Sequence, residues 1–251
     1  MTYKLDNTPL SALGAFPVKG NNFFALEGML DLPKRIGSTE YNWGTSIEPF
    51  VQSEDIQLDG RALTLHVAIR RDKVEAFKLA CVACKTLSFD YDSFSVVCKD
   101  EIEVTPVGVY DSVKVKFWQN DFVLKPITIA PTALGASMID NFNLSKDFGI
   151  HIARITNITN EAQKIDVNTT EFYIRTDYRG TREITLSCSM LGSSFADMYN
   201  KMNQFQSVLI KPGIRILTVR NNEFNVYFKD GITVSIAAKN ILSFVLKAIC
   251  I

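Results

Sequence analysis

The chain carries one pattern twice, and that repeat limits what it can fold into more than any other feature. Gly60-Arg61-Ala62-Leu63-Thr64-Leu65 returns as Gly180-Thr181-Arg182-Glu183-Ile184-Thr185-Leu186, and Leu65 and Leu186 lie 121 residues apart in a chain of 251. In the first copy Leu63, Leu65, Val67 and Ile69 alternate with Thr64, His66 and Ala68. Successive side chains of a strand point to opposite faces, so this segment predicts a strand with one face buried. The same offset reaches Ile184, Leu186, Cys188 and Met190, and all four inward positions stay apolar. A change of period follows. Val74, Phe77, Cys81 and Cys84 form one face of a helix, and the offset converts them to Phe195, Met198, Met202 and Phe205. Asp72 three before Glu75, and Ser194 three before Asp197, are the expected N-caps.

After each helix the pattern returns to strands. The first copy offers Phe94 to Cys98, Ile102 to Val104 and Val113 to Trp118; the second offers Ile214 to Val219, Phe224 to Phe228, Ile232 to Ala237 and Ile241 to Ile249. Lys99-Asp100, Pro106-Val107-Gly108, Pro212-Gly213, Asn221-Asn222 and Lys229-Asp230-Gly231 are the expected turns between them. Lys116 aligns with Lys247, which assigns about ten extra residues to the hairpins of the second copy. The predicted fold is therefore mainly β with α: two tandem β-sandwich or barrel modules, each flanked by one helix. The expected organisation is a first module over 1–125 with an N-terminal extension, a linker or extended loop over 126–147, and a second module over 148–251. Pro126, Pro131 and Gly135 mark the connector. Two unrelated β-rich halves sharing common patterns are the alternative.

Basic and acidic residues balance at 27 each, split at Lys125 into halves of −3 and +3. Nucleic-acid binding normally needs a concentrated basic face, so no sequence-specific nucleic-acid partner is expected. No apolar run approaches the length of a spanning helix, and Met1 to Asp6 does not read as a signal peptide, so no membrane partner is expected either. Five cysteines without framework spacing suggest folding in a reducing cytosol.

The candidate chemistry is thin. Cys81-Val82-Ala83-Cys84 is a CxxC, but it falls late in its helix, whereas redox use needs a helix N-terminus and zinc needs a second ligand pair. The repeat puts these cysteines where Met202 and Phe205 stand, so they read as small core residues. His66 lies on the outward face of its strand opposite a repeat partner, Ser187, and His151 opens the second module. The sequence holds no G-x-S-x-G, P-loop or G-x-G-x-x-G. Asp90/Asp92 and Glu101/Glu103 read as solvated faces, and a Ca²⁺ site at Asp90, Asp92 and Asp100 lacks the EF-hand Gly and Glu. Tyr41, Trp43 and Trp118 are the candidate sugar platform, with interface or core placement as the alternative. No catalytic, cofactor-binding or metal residue is assigned, and no enzymatic activity is expected.

The order strand, helix, strands, with Gly60-Arg61-Ala62-Leu63-Thr64-Leu65 ahead of the helix, resembles the module of phage distal tail proteins and tail-tube subunits. The second copy carries the likeness best, through Tyr178 to Leu186, Gly192-Ser193-Ser194 before the helix, and Lys211-Pro212-Gly213 after it. In the first copy Arg70-Arg71-Asp72 replaces the Gly-Ser step. The resemblance covers roughly 48–118 and 170–249. It implies modules set side by side in a ring around a channel, with three chains supplying six modules, or a hexamer supplying twelve. The implied partners are further copies of the chain, the tail tube and other tail-tip proteins. The implied location is a virion tail, made and assembled in the bacterial cytoplasm. A tandem binding module for carbohydrate or a cell-surface partner is the alternative function.

Overall fold

The computed structural model describes residues 1–43, 46–159, 163–169, 172–178 and 182–251, without the side chains of 163–168 and 175–178. Gly180 and Thr181 of the repeated motif lie outside the described residues. The first half runs through β1 (Tyr3–Leu5), β2 (Thr8–Pro9), a 3-10 turn (Leu10–Leu13), β3 (Ala15–Pro17), β4 (Leu26–Glu27), and the hairpin β5 (Glu40–Asn42) and β6 (Ile47–Pro49). It continues with β7 (Arg61–Arg70), α1 (Val74–Ala83), β8 (Thr86–Phe89), β9 (Asp92–Ser95), β10 (Val97–Val107) and β11 (Tyr110–Gln119). The second half runs through β12 (Ser137–Ile139), β13 (Phe142–Asn143), α2 (Leu144–Phe148), β14 (Ile150–Thr156), and the hairpin β15 (Gln163–Asn168) and β16 (Tyr173–Tyr178). It ends with β17 (Arg182–Leu191), α3 (Phe195–Ile210), β18 (Arg215–Val219), β19 (Asn222–Tyr227), β20 (Val234–Ala238) and β21 (Ile241–Cys250). The chain is β-rich α+β, built mostly of antiparallel sheets.

The repeat holds at the level of backbone register. β7 and β17 are ten residues each, and their inward residues are buried throughout. Thr64 faces Lys116 across the β7–β11 ladder, and Thr185 faces Lys247 across β17–β21. Leu87 faces Phe94, as Leu217 faces Phe224. Val104 faces Val113, as Val234 faces Phe244. A one-residue slip in any of these ladders would turn its apolar face to solvent, so burial holds the register in both copies.

The equivalence also reaches back beyond the segments that show a period in sequence. β1 pairs with β8 through Leu5 and Leu87; β12 pairs with β18 through Ile139 and Leu217. Asp6 and Asp140 turn these first hairpins at φ 43 and 53. Asp6 Oδ1 accepts from the Thr86 N–H at 2.9 Å, and Asp140 Oδ1 from the Ile216 N–H at 3.0 Å. The helical turns that follow both close on a left-handed glycine, Gly14 at φ 74 and Gly149 at φ 71. An added Cβ at Gly149 would meet the Leu191 carbonyl oxygen at 2.4 Å, so both conformation and space require glycine there. The first 27 residues are therefore the opening of the first module. Likewise the stretch expected as a connector over 126–147 already contributes β12, β13 and most of α2 to the second.

Three local expectations are corrected. The extra residues of the second copy are not in its hairpins: α3 has 16 residues against 10 in α1, and the link from helix to strand is also longer. Asp72 does not cap α1. It lies in a 3-10 turn and accepts from Arg70 Nε at 3.2 Å, and the N-cap position is Lys73. Ser194 does cap α3, accepting from the Asp197 N–H at 3.2 Å, while Asp197 accepts from the Ser193 N–H at 2.8 Å. Finally, Lys99-Asp100 is an irregularity inside β10 rather than a turn, and Pro106 sits within the same strand. An edge strand tolerates both, because its outer N–H groups face no partner strand.

In the first half β1 and β7 belong to separate sheets. In the second, the corresponding strands join one eight-stranded sheet, because β19 also pairs with β21 through Val226–Cys250 and Tyr227–Ile249. One hydrophobic core runs through both halves, from Tyr3 to Cys250. Among the described residues no helix is long and apolar enough to cross a membrane.

Candidate functional site

Most of the residues singled out for chemistry are absorbed by packing or by separate polar contacts. Cys81 and Cys84 are buried and free, and burial pushes both thiols up, away from the thiolate that redox or metal chemistry uses. Cys188 is buried likewise and pushed up to about 12. His66 sits under the Gly20–Asn22 loop with Nε2 3.3 Å from Glu27 Oε1, and the same oxygen accepts from the Asn21 and Asn22 N–H groups. His151 is exposed on β14. Asp90 accepts from the Thr2 N–H at 3.0 Å, Asp100 lies 4.0 Å from Lys116 Nζ, and Glu103 pairs with Lys114 at 3.2 Å. Among the described residues no three His, Cys, Asp or Glu side chains gather where they could hold a metal ion. Tyr41 and Trp43 are brought together, rings 4.3 Å apart and exposed on the β5–β6 hairpin. Trp118 is elsewhere, on β11, with Lys99 Nζ 4.0 Å from its ring.

Polar groups from distant parts of the sequence converge instead where the two modules meet. The helix α3 is enclosed there. Its Met202 and Phe205 side enters the second module's core, and Phe195, Tyr199, Asn203 and Gln206 are also buried. Phe195 meets Phe24 at 4.6 Å and Tyr91 at 5.4 Å between ring centroids, and Tyr199 meets Phe89 edge-on at 5.4 Å. The Tyr199 hydroxyl donates to Asp92 Oδ2 at 2.7 Å, and Lys125 Nζ stands 3.0 Å from the same oxygen. Burial alone would raise Asp92, but the bonds from Tyr199, Lys125 and the Ser93 N–H hold it below the usual carboxylate range. Tyr199 moves the other way, pushed up by burial and then by the Asp92 charge. Gln206 Nε2 donates to the Leu30 carbonyl at 2.6 Å, and Ser207 Oγ to the Lys125 carbonyl at 2.6 Å.

The outer edge of β20 is the second part of this joint. Residues 22–35 of the first module lie along it. The Phe23 N–H donates to the Ile236 carbonyl at 2.9 Å, Leu32 and Ile232 exchange both backbone bonds, and the Val234 N–H donates to Asp31 Oδ1 at 2.8 Å. Beyond the edge, the Arg35 N–H donates to the Lys229 carbonyl and Lys229 Nζ pairs with Glu40 at 2.8 Å. Ile47 and Val51, in and beside the β5–β6 hairpin, close a small separate cluster with Tyr227 and Ile249. An unpaired strand edge is thus covered by backbone from the other module.

Burial pushes Asp31 up to about 6, against the opposing Val234 bond and Arg61 charge. A carboxyl raised from 3.8 holds its proton more tightly when folded. Its stabilising contribution is complete below about pH 4 and is lost as pH rises through about 6. Asp31→Asn keeps an acceptor oxygen for Val234 and removes the charge. Urea unfolding is expected to find it more stable than the native chain by about 3 kcal/mol at neutral pH and equal to it near pH 4.

Each module has its own arginine staple. Arg61 is buried; its Nε donates to Gln119 at 2.8 Å, its Nη1 to the carbonyls of Met29 and Asp31, and its guanidinium stacks on Phe94 at 5.1 Å. Arg182, its repeat partner, donates to the Ile158 carbonyl at 2.8 Å and stacks on Phe224 at 4.7 Å. Phe94 and Phe224 are themselves partners by register. The repeated Arg was visible in the motif, but its role needed the Phe that folding brings to it.

Fold and joint together define a duplicated β-rich α+β protein whose two copies meet head to tail, the first covering an edge and a helix of the second. No family model matches the chain, and no curated protein matches it.

Proposed function

We propose that the chain is a structural subunit of a phage or prophage tail. In this reading it acts at the distal tail or hub, by closing a ring of modules that continues the tail tube around a channel. The observation that carries the reading is the asymmetric joint between two modules of matching register. A head-to-tail contact between unlike surfaces closes into a ring when the rotation between neighbours divides a full turn, and runs on as a filament when it does not. Three chains would give six modules and six chains twelve. The role assigned is geometric, with no catalysis. Virion tail assembly in the bacterial cytoplasm is the location that goes with it.

The test is mass in solution and shape on a grid. Light scattering after size exclusion is expected to give a trimer or hexamer, and negative-stain images are expected to show annular particles. A chain that stays monomeric at high concentration and forms no rings would overturn this reading. The exposed Tyr41–Trp43 pair favours a second one, a binding module for carbohydrate. Glycan binding by a monomer that is lost in Trp43→Ala would select it.

A further inference from the structure

The joint inside the chain is asymmetric, so each module has both a donor side and an acceptor side, and only one of each is used. The first module donates and the second accepts. Left over are the acceptor side of the first module and the donor side of the second. Register identifies the unused acceptor residue by residue. Tyr227 of the second module, 1% exposed under the first module's Ile47 and Val51, has Val97 as its counterpart, and Val97 is 53% exposed. Lys229, bound to Glu40 in the joint, corresponds to Lys99, and Ile249 to Trp118. Asn203 on α3, 7% exposed in the joint, corresponds to Val82 on α1, which is 67% exposed. The β20 edge, covered by residues 22–35, corresponds to β10, which among the described residues ends its sheet with no further strand beside it.

The unused donor is equally defined. The β5–β6 hairpin stands between β4 and β7, and in the second module β15–β16 stands between β14 and β17. This second hairpin is longer, and it presents Phe172 and Ile174, both exposed. An arm with exposed hydrophobic residues and an open edge beside an exposed valine are surfaces that seek partners.

We infer that a second copy of this chain docks its β15–β16 hairpin beside Val97, at the open end of the β10 edge, as β5–β6 already stands beside Tyr227 within one chain, and that this approach encloses Val82. This rests on the ring reading and names the contact that closes the ring. Its basis is continuity: a first module already donates to a second within the chain, and between chains a second module would donate to a first through the corresponding residues.

Val97→Asp and Val82→Asp change exposed side chains and are expected to leave the fold intact, as circular dichroism and urea unfolding would show. Each is expected to weaken self-association at least about tenfold by sedimentation velocity. Leu79→Asp is the discriminating control. Leu79 is as exposed as Val82, but its counterpart Asn200 stays exposed in the joint, so Leu79→Asp is expected to assemble like the native chain. A chain lacking the acceptor (Val97→Asp) mixed with one lacking the donor (Phe172→Asp with Ile174→Asp) retains one good contact, and the mixture is expected to stop at a heterodimer. An assembled native chain unaffected by Val97→Asp and Val82→Asp overturns the docking and leaves the ring reading standing. Equal weakening by Leu79→Asp also overturns it, in favour of a diffuse apolar contact. A native chain that never associates overturns both.

Discussion

Phe195→Ala is expected to destabilise the folded chain by about 3–5 kcal/mol, the usual cost of truncating a fully enclosed phenylalanine. The ring opens α3 and packs against Phe24 and Tyr91 of the first module as well as Tyr199 of its own. The void would therefore lie in a core shared by both halves. Equilibrium urea unfolding is expected to move as a single transition to lower denaturant. If instead only part of the signal moves and the rest keeps the native midpoint, the halves unfold separately and the continuous core does not couple them. Phe77→Ala makes the comparison. It cuts the core beneath α1, away from the joint, and is expected to cost as much without bearing on how the halves meet.

Arg61→Ala is expected to cost about 3–5 kcal/mol, because three acceptors lose their donor in a buried place and unsatisfied buried groups cost about 1–3 kcal/mol each. The guanidinium also sits between two rings, Phe94 and Phe122, at 5.1 and 4.8 Å. Arg61→Lys is expected to recover only a minor part, since an ammonium cannot reproduce the planar fork that serves Gln119 and two carbonyls together. Arg182→Ala is expected to cost less, about 1–3 kcal/mol, because Arg182 is only partly buried. Chemical denaturation of the three variants checks the order. Equal losses at Arg61 and Arg182 would show that the staple's worth lies in the stacking common to both copies, not in the buried bonds particular to the first.

The strands Arg61–Arg70 and Arg182–Leu191 were legible in sequence to within two residues, because each is long enough to show a period of two over its whole length. The helix stripes and the Ser194 cap were legible for the same reason. β1 to β3 and β12 to β13 were not, since strands of two or three residues show no period; β4 falls inside Asn22 to Leu32, where a strand or two is expected. A signal did exist in Leu5-Asp6-Asn7 and Ile139-Asp140-Asn141, each followed by Leu-Ser and then a glycine: Leu10, Ser11 and Gly14; Leu144, Ser145 and Gly149. Read as the same turn and helical cap, those residues would have set the start of the second module at Ser137. β8 was missed outright, because Thr86 to Phe89 holds a single alternation.

By itself the sequence determined that the chain is built twice from one strand-and-helix core, that both copies keep their ladders in register, and that the CxxC belongs to packing. Those facts are recorded in side-chain periodicity, which states that a face is buried. Only the tertiary structure decided what each face is buried against: that α3 is enclosed between modules while α1 keeps an outer side open, and that β20 is covered while β10 is an edge. That difference rests on backbone hydrogen bonds and on single contacts more than a hundred residues apart, and neither leaves a periodic trace in the chain.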